Sequence, residues 1–331
     1  DNGGDLLDST GSTLLSQEVC EGGTPETLSV EVISDPSSTG VFSYQWYSNT
    51  TNSNTGGTEI DGAINASYTP EALSVGTIYY YVEVSQEDSG SGCVVVSNTS
   101  SVIVINSIPI IDIQPSLLTE VCIDGAVELS VTVADGVGIT AYQWFENDNN
   151  SNTGGTEIPG ATSTTYTPDT SEAGEIYYYV EITQDCGSAT SEVSTVRVVE
   201  DPVAEISSIE PSLCIGGSIE LEATTTGGLG TPSYQWYYYN TLTPGVVTQI
   251  TGATAATYQT GTELSVEGIY NYYVEVTYDG SGCGLATSSD FAVTVDSIPA
   301  LDNDGDLVDS TGTPLLSQEV CEGGTPETLS V

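Results

Sequence analysis

The sequence has no lysine, no histidine and no methionine, and its one basic side chain is Arg197. Without His or Lys there is no nucleophile paired with a base, so catalysis has almost nothing to build on. Without a basic patch the chain cannot neutralise phosphates, which excludes nucleic acid and anionic membrane surfaces as partners. No run approaches the ~18 apolar residues of a membrane span, so membrane insertion is not expected. The opening DNGGDLLDST has no basic n-region and is no signal peptide; the true N-terminus is expected to lie elsewhere in a longer chain.

What is present is acid. There are 47 Asp and Glu, a net charge of −46, and an apolar content of 38%. Carboxylates are then the ionised groups available for chemistry, and divalent cations are their natural partners. The acidity does not signal disorder, because disordered acidic chains lack aromatic and β-branched residues, whereas this one has 20 Tyr and many Val, Ile and Thr. Seven Cys with no His point away from zinc and toward disulfides, hence an oxidising, extracellular compartment.

Repetition dominates the 331 residues. Three units share one order of features. Each begins with Cys, then Gly and an alternating strand: VCEGGTPETLSVEV from Val19, VCIDGAVELSVTV from Val121, LCIGGSIELEATT from Leu213. Then come YQW (ending at Trp46, Trp144 and Trp236), a turn-rich stretch, and SYTP, TYTP or TYQT. A tyrosine strand follows, GTIYYYVEV, GEIYYYVEI or GIYNYYVEV, then a second Cys (Cys93, Cys186, Cys283), Ser-rich residues and a last strand. Residues 1–30 recur almost verbatim at 302–331, so three domains of roughly 100 residues make one larger repeat.

The period is two nearly everywhere, which predicts half-buried strands. Tyr80, Val82 and Val84 are expected to face the core, as are Tyr178, Val180, Ile182 and Tyr272, Val274, Val276. Tyr79, Tyr81, Tyr177, Tyr179 and Tyr273 are expected to point outward, either as ordinary exposed strand residues or as a stripe for sugars and neighbouring filaments. The single Trp of each unit is expected between two sheets. The fold class is all-β: tandem Ig-like antiparallel β-sandwiches stacked head to tail in an elongated rod. The expected boundaries are a linker over 1–13, domains over 14–106, 107–199 and 200–296, and a linker with the start of a truncated fourth domain over 297–331.

With these motifs in this order, the chain resembles the bacterial Ig-like domains of Bacteroidetes secreted proteins. The resemblance implies export by the type IX secretion system. The acidic, lysine-free, near-identical larger repeat is most similar to the giant mobile adhesins of gliding Flavobacterium, of the SprB type. That implies a cell-surface, outer-membrane-attached filament. Its implied partners are polysaccharide or solid surfaces, neighbouring filaments, and motility machinery outside this segment. Two other readings stand beside the stalk: an array of glycan-binding modules, and a passive spacer or surface-layer component.

The cysteines depart from the antibody pattern, in which a bridge joins the B and F strands inside the core. Here such positions hold Leu129 and Tyr179. One pairing is intradomain: Cys20–Cys93, Cys122–Cys186 and Cys214–Cys283. In Ig topology, however, the start of B and the end of F lie at opposite ends of the sandwich. A strand of about eight residues spans roughly 26 Å, whereas bridged Cα atoms lie within about 7 Å. The other pairing joins successive domains, Cys20–Cys186 and Cys122–Cys283. Cys93, Cys214 and Cys321 are then left for domains outside the segment. Free thiols are the third reading.

Two further sets of residues are candidates. Asp302, Asp304, Asp306 and Asp309 alternate around Gly305 and could supply several oxygens to one Ca²⁺, resembling thrombospondin-type acidic loops; Leu307 stands where an EF-hand needs Gly. The plainer reading is a solvated acidic linker. Ser9, Ser297 and Ser310 follow Asp in Asp-Ser/Thr-type tripeptides that resemble the O-glycosylation signal of Bacteroidetes.

Overall fold

The computed structural model describes residues 4–8, 10–14, 16–33, 40–87, 93–99 and 102–297. Among them every regular element is a β-strand. The chain forms two compact units. One comprises Asp1–Thr119, Val127–Pro168 and Glu175–Arg197; the other comprises Glu120–Ala126, Asp169–Gly174 and Val198–Val331.

Three six-stranded sheets share one strand order. A leading strand that ends in Cys (Ser16–Cys20, Leu118–Cys122, Ser212–Cys214) lies beside the closing strand (Val102–Asn106, Ser194–Val199, Phe291–Asp296). Next come the tyrosine strand (Gly76–Glu87, Gly174–Gln184, Gly268–Tyr278) and the tryptophan strand (Val41–Asn49, Ala141–Asn147, Pro232–Asn240). A short strand (Thr58–Glu59, Thr156–Glu157, Thr248–Gln249) ends the order. The opposing layer is smaller; in the third domain Val203–Ser207, Glu220–Thr226 and Thr257–Gln259 form it. Two antiparallel layers with the leading strand crossing to run parallel to the closing strand make an Ig-like sandwich.

The alternating pattern decides what faces inward. Trp46, Trp144 and Trp236 sit opposite Val82, Val180 and Val274 of the tyrosine strand, and all six side chains are fully buried. Each indole N–H must find a partner inside, and it does: Trp46 donates to the Asn65 carbonyl, Trp144 to Ser163 and Trp236 to Ala255, each at 2.9 Å. The Gln of YQW ties the same loop down, donating from Nε2 to the Ile60, Ile158 or Ile250 carbonyl. The loop itself is a turn ending in Gly-Ala, with Ala63, Ala161 and Ala253 N–H closing on those isoleucines. Gly62, Gly160 and Gly252 take positive φ there, which a side chain resists. YQW and the later Ile-x-Gly-Ala are thus two halves of one hydrogen-bonded feature.

The Ser-rich stretch after the second Cys also has a structural reason. The tyrosine strand pairs first with a short segment (Cys93–Val96, Gly187–Thr190, Ala286–Thr287) and only then with the closing strand. At the switch, Ser97, Ser191 and Ser288 are buried, and each Oγ accepts the Val82, Val180 or Val274 N–H at 3.0 Å. A hydroxyl here takes a donor that the broken ladder would otherwise leave unpaired.

Two expectations need correction. Leu6 and Leu7, within the expected linker 1–13, are buried, and Leu6 joins the first domain's core. Leu7 pairs with Ser29 through backbone hydrogen bonds in both directions, an isolated bridge, so two leucines set among hydrophilic residues dock this segment on the first domain. Tyr81 and Tyr179, expected to face outward, are each only 2% exposed. They do point away from the inter-sheet core, but the turn after the tryptophan strand folds back over them. Gly57 and Gly155 donate their N–H to the two phenol oxygens, while Tyr47 and Phe145 stack on the rings at 5.0 and 4.9 Å.

Burial pushes the Tyr80 phenol up to about 12, with the Tyr68 phenol and the Glu71 carboxylate adding to the shift. Burial also raises Tyr272 and Tyr258, with Glu263 accepting from both hydroxyls. A phenol raised above its unfolded value of about 10 contributes stability that is complete below pH ~10 and lost as pH rises through the folded value. We therefore expect denaturant midpoints, followed by tryptophan fluorescence, to be flat from neutral pH to about 10. They should fall steeply between about 10 and 12. A midpoint that stays level across that window would contradict the buried-phenol account.

Candidate functional site

The feature that recurs and carries covalent chemistry is the cysteine turn. The leading strand of the first domain runs parallel to its closing strand in a register that sets Cys20 beside Asn106; the third domain sets Cys214 beside Asp296. The residue after each Cys donates its N–H to the last part of the closing strand: Glu21 to Asn106 (2.8 Å), Ile123 to Val199 (3.1 Å), Ile215 to Asp296 (2.9 Å). Gly23, Gly125 and Gly217 then donate back to the carbonyl of their own Cys at 2.8–2.9 Å. The residue between takes positive φ and is Gly22, Asp124 or Gly216, residue types that tolerate this region. Cys-x-(Gly/Asp)-Gly is therefore one rigid turn made three times, at the place where the chain leaves the domain.

The second cysteine follows the tyrosine strand, which runs antiparallel to the closing strand and so ends at the opposite, entry end of the sandwich. A Gly-rich loop braces it there. Asp185 N–H donates to Val137 O (3.1 Å), and Gly280 N–H to Leu229 O (2.9 Å). In the first loop Gly138 lies so close to the Asp185 carboxylate that an added Cβ would sit 2.3 Å from it. Sequence reasoning missed these braces; the signal was present in the closely spaced glycines of ADGVGIT and GGLGTP.

Entry-end and exit-end cysteines of successive domains meet. Cys20 is bonded to Cys186 (Cα–Cα 5.3 Å, S–S 2.11 Å) inside the first unit. Cys122 is bonded to Cys283 (Cα–Cα 4.8 Å, S–S 1.99 Å) inside the second. The pairs join neighbouring domains, and the alternative Cys122–Cys186 and Cys214–Cys283 bridges are not formed. Around the second bridge the backbones also touch. Cys122 N–H donates to Ser281 O at 2.9 Å, and a Cβ on Gly282 would fall 2.4 Å from the Gly125 Cα. Cys214 is exposed and unbonded.

The other expected sites are mostly out of view. Asp302, Asp304, Asp306, Asp309, Ser9, Ser310, Cys321 and the side chain of Cys93 lie outside the described residues. Ser297 is exposed. Asp8, beside Ser9, holds a turn: its Oδ1 accepts from the Thr10 hydroxyl, the Thr10 N–H and the Ser12 N–H. These bonds hold its carboxyl below the usual range, the Thr10 hydroxyl most of all. A polar hollow beside the second domain's tryptophan strand is lined by Glu146, Asp148 and the loop Gly154–Thr156; it offers carboxylates but no nucleophile with a base. The outer aromatic pairs differ between domains. Tyr237 stacks on Tyr273 at 4.9 Å, as in the other two domains, but Thr-Pro-Gly-Val-Val replaces the covering Gly-Gly turn. Leu242, Val246 and Val247 stand more than half exposed in that replacement loop.

The family model described as "Domain of unknown function (DUF8696)" matches residues 9–106 and 116–200. The chain belongs to that family. No curated protein matches the sequence. Among solved structures, three N-terminal domains of the bacteriophage RB49 Highly Immunogenic Outer Capsid protein (Hoc) are 15% identical. They cover 86% of this chain and 96% of that one, with a TM-score of 0.41. The I-band fragment I67–I69 of titin is 13% identical, covering 89% and 98%, with a TM-score of 0.39. The four N-terminal Ig domains of Dscam1 isoform 6.9 are 14% identical, covering 86% and 72%, with a TM-score of 0.29.

Two outcomes follow from the joints. Gly282→Ala places a methyl group against the Gly125 backbone, which has no flexible side chain to yield, and does so at a φ of 78°. Non-reducing peptide mapping should then show the Cys122–Cys283 peptide strongly depleted and the Cys20–Cys186 peptide unchanged; equal yields would contradict the close backbone contact. The second outcome concerns length. The shortest covalent route from end to end runs through residues 1–20, across to Cys186, back along the chain to Cys122, across to Cys283 and on to residue 331, about two-fifths of the chain. At ~3.5 Å per residue, the oxidised chain pulled from its ends should extend to roughly two-fifths of the length it reaches after reduction, read as contour length by single-molecule force spectroscopy.

Proposed function

We propose that this chain is a repeat segment of a long cell-surface adhesin filament, a structural stalk that supports surface adhesion and gliding motility. The observation that carries the reading is the pair of bridges between successive Ig-like domains. A bridge inside a domain protects that domain alone, whereas one between domains passes load from each to the next. Disulfides place the segment in an oxidising, extracellular setting. The high negative charge keeps neighbouring stalks soluble and apart. On this reading the chain is exported by a type IX system, works without catalysis, and gains its length by copying a three-domain repeat.

Electron microscopy of the source cells with an antibody to residues 14–296 tests this. Label spaced along filaments that project from the surface is the expected result. Label confined to a flat layer, or absent from the surface, overturns the stalk. The half-buried Tyr237–Tyr273 pair with its apolar loop favours a second role, glycan contact by the third domain, since aromatic faces suit sugar rings. If that holds, the intact chain binds on a glycan array and Tyr237→Ala lowers the signal at least tenfold. An array signal that Tyr237→Ala leaves unchanged, or no signal at all, removes it.

A further inference from the structure

Two of the three leading cysteines are bonded and the third, Cys214, is not. Yet its surroundings are the same. Leu213 and Cys214 lie in register with Val295 and Asp296, as Val19 and Cys20 do with Ile105 and Asn106. The turn after Cys214 repeats the Gly217-to-Cys214 hydrogen bond and the positive φ at Gly216. Gly216 N–H donates to Leu264 O, just as Gly22 N–H donates to Ala72 O and Asp124 N–H to Thr170 O. In this frame Cys20 and Cys122 each hold the second cysteine of the following domain. The domain that follows the third is a first-type domain, because residues 302–331 restate residues 1–30. The second cysteine of a first-type domain is Cys93, which opens the strand Cys93–Val96 directly after the tyrosine strand.

We propose that Cys214 forms a third bridge of the same kind, with the Cys93 position of a following copy of this three-domain repeat. Two thiols lose two electrons and two protons as the S–S bond forms, and an oxidised dithiol carrier takes up both: R–SH and R′–SH react with the carrier's internal disulfide E(S–S) to give R–S–S–R′ and E(SH)₂. The consequence is topological. With only the two observed bridges, a taut covalent path crosses from Cys20 to Cys186, must run back through the second domain to Cys122, and crosses from there to Cys283. With the third bridge, the path leaves at Cys214 and re-enters at the Cys93 position of the next domain. Between bridges it follows only segments such as 186–214: a closing strand, a connection and a leading strand. Alternate domains form one such track and the remaining domains form the other, passing through Cys122 and Cys283. Each domain then sits in a closed loop whose unfolding adds no length to the filament. This goes beyond the stalk reading and is measurable without reference to surface function.

The test is a tandem of two complete repeats in one chain, oxidised with glutathione disulfide, which supplies the oxidant. The single 331-residue chain serves as comparison. Mapping of the non-reduced tandem should yield a peptide joining Cys214 of the first copy to Cys93 of the second. The tandem should also show no more reactive thiols than the single chain, and Cys214→Ser in the first copy should add one at Cys93 of the second. If the Cys20–Cys186 and Cys122–Cys283 peptides form in both copies while Cys214 of the first copy is alkylated, the proposal is overturned. Non-reduced peptides from the filament purified from cells give a second reading, in which a Cys214–Cys93 peptide is again required. A bridge found in the tandem without surface filaments would sink the stalk and spare this inference; filaments with alkylated Cys214 would do the reverse.

Discussion

The parallel pairing of the leading strand with the closing strand places Cys20 and Cys214 beside the residues through which their domains hand the chain on. An antiparallel partner would bring its end to the other side of the sandwich, at the strand's full length from the exit. From this one pairing the rest follows. The exit-end cysteine meets the entry-end cysteine of the next domain, because the tyrosine strand runs against the closing strand and turns at the entry. The Gly-rich loops at Gly138 and Gly230 then hold that second turn in place, and the close backbone approach at Gly125 and Gly282 leaves no room for adjustment.

The composition explains why covalent joints are useful here. With one basic residue against 47 acids, successive domains cannot be held by networks of ion pairs, and their carboxylates repel. Each domain coheres by apolar packing around its tryptophan and by hydrogen bonds such as those of Ser191 and Gln143. At a joint a bridge holds successive domains together against that repulsion. In the chain-entropy picture, bridges closing loops as long as these add roughly 3–5 kcal/mol against the unfolded chain.

The domains are alike in frame and unlike in cover. Tyr81 and Tyr179 are sealed by a turn whose Gly N–H reaches the phenol oxygen. The third domain builds the same stacked pair, Tyr237 on Tyr273, and replaces the seal with an apolar loop. One face in each three-domain repeat is thereby distinguished while the cores and the cysteine turns stay the same. A copied repeat can carry a distinct face at a fixed spacing in this way.

The all-β class and the core-facing side of the tyrosine strands were legible in the sequence, because a period of two and one buried Trp per unit are local signals with a single low-energy answer. Val82, Val180 and Val274 could be assigned to the core from alternation alone. Alternation could not tell that Tyr81 and Tyr179 are covered, since a turn some two dozen residues earlier covers them, nor that Leu6 and Leu7 add to the first domain's core from a stretch rich in Asp and Gly. It left the cysteine partners open as well. Which sulfurs meet is a matter of which ends of two sandwiches face each other, and that depends on strand direction and crossing, which are properties of the folded chain.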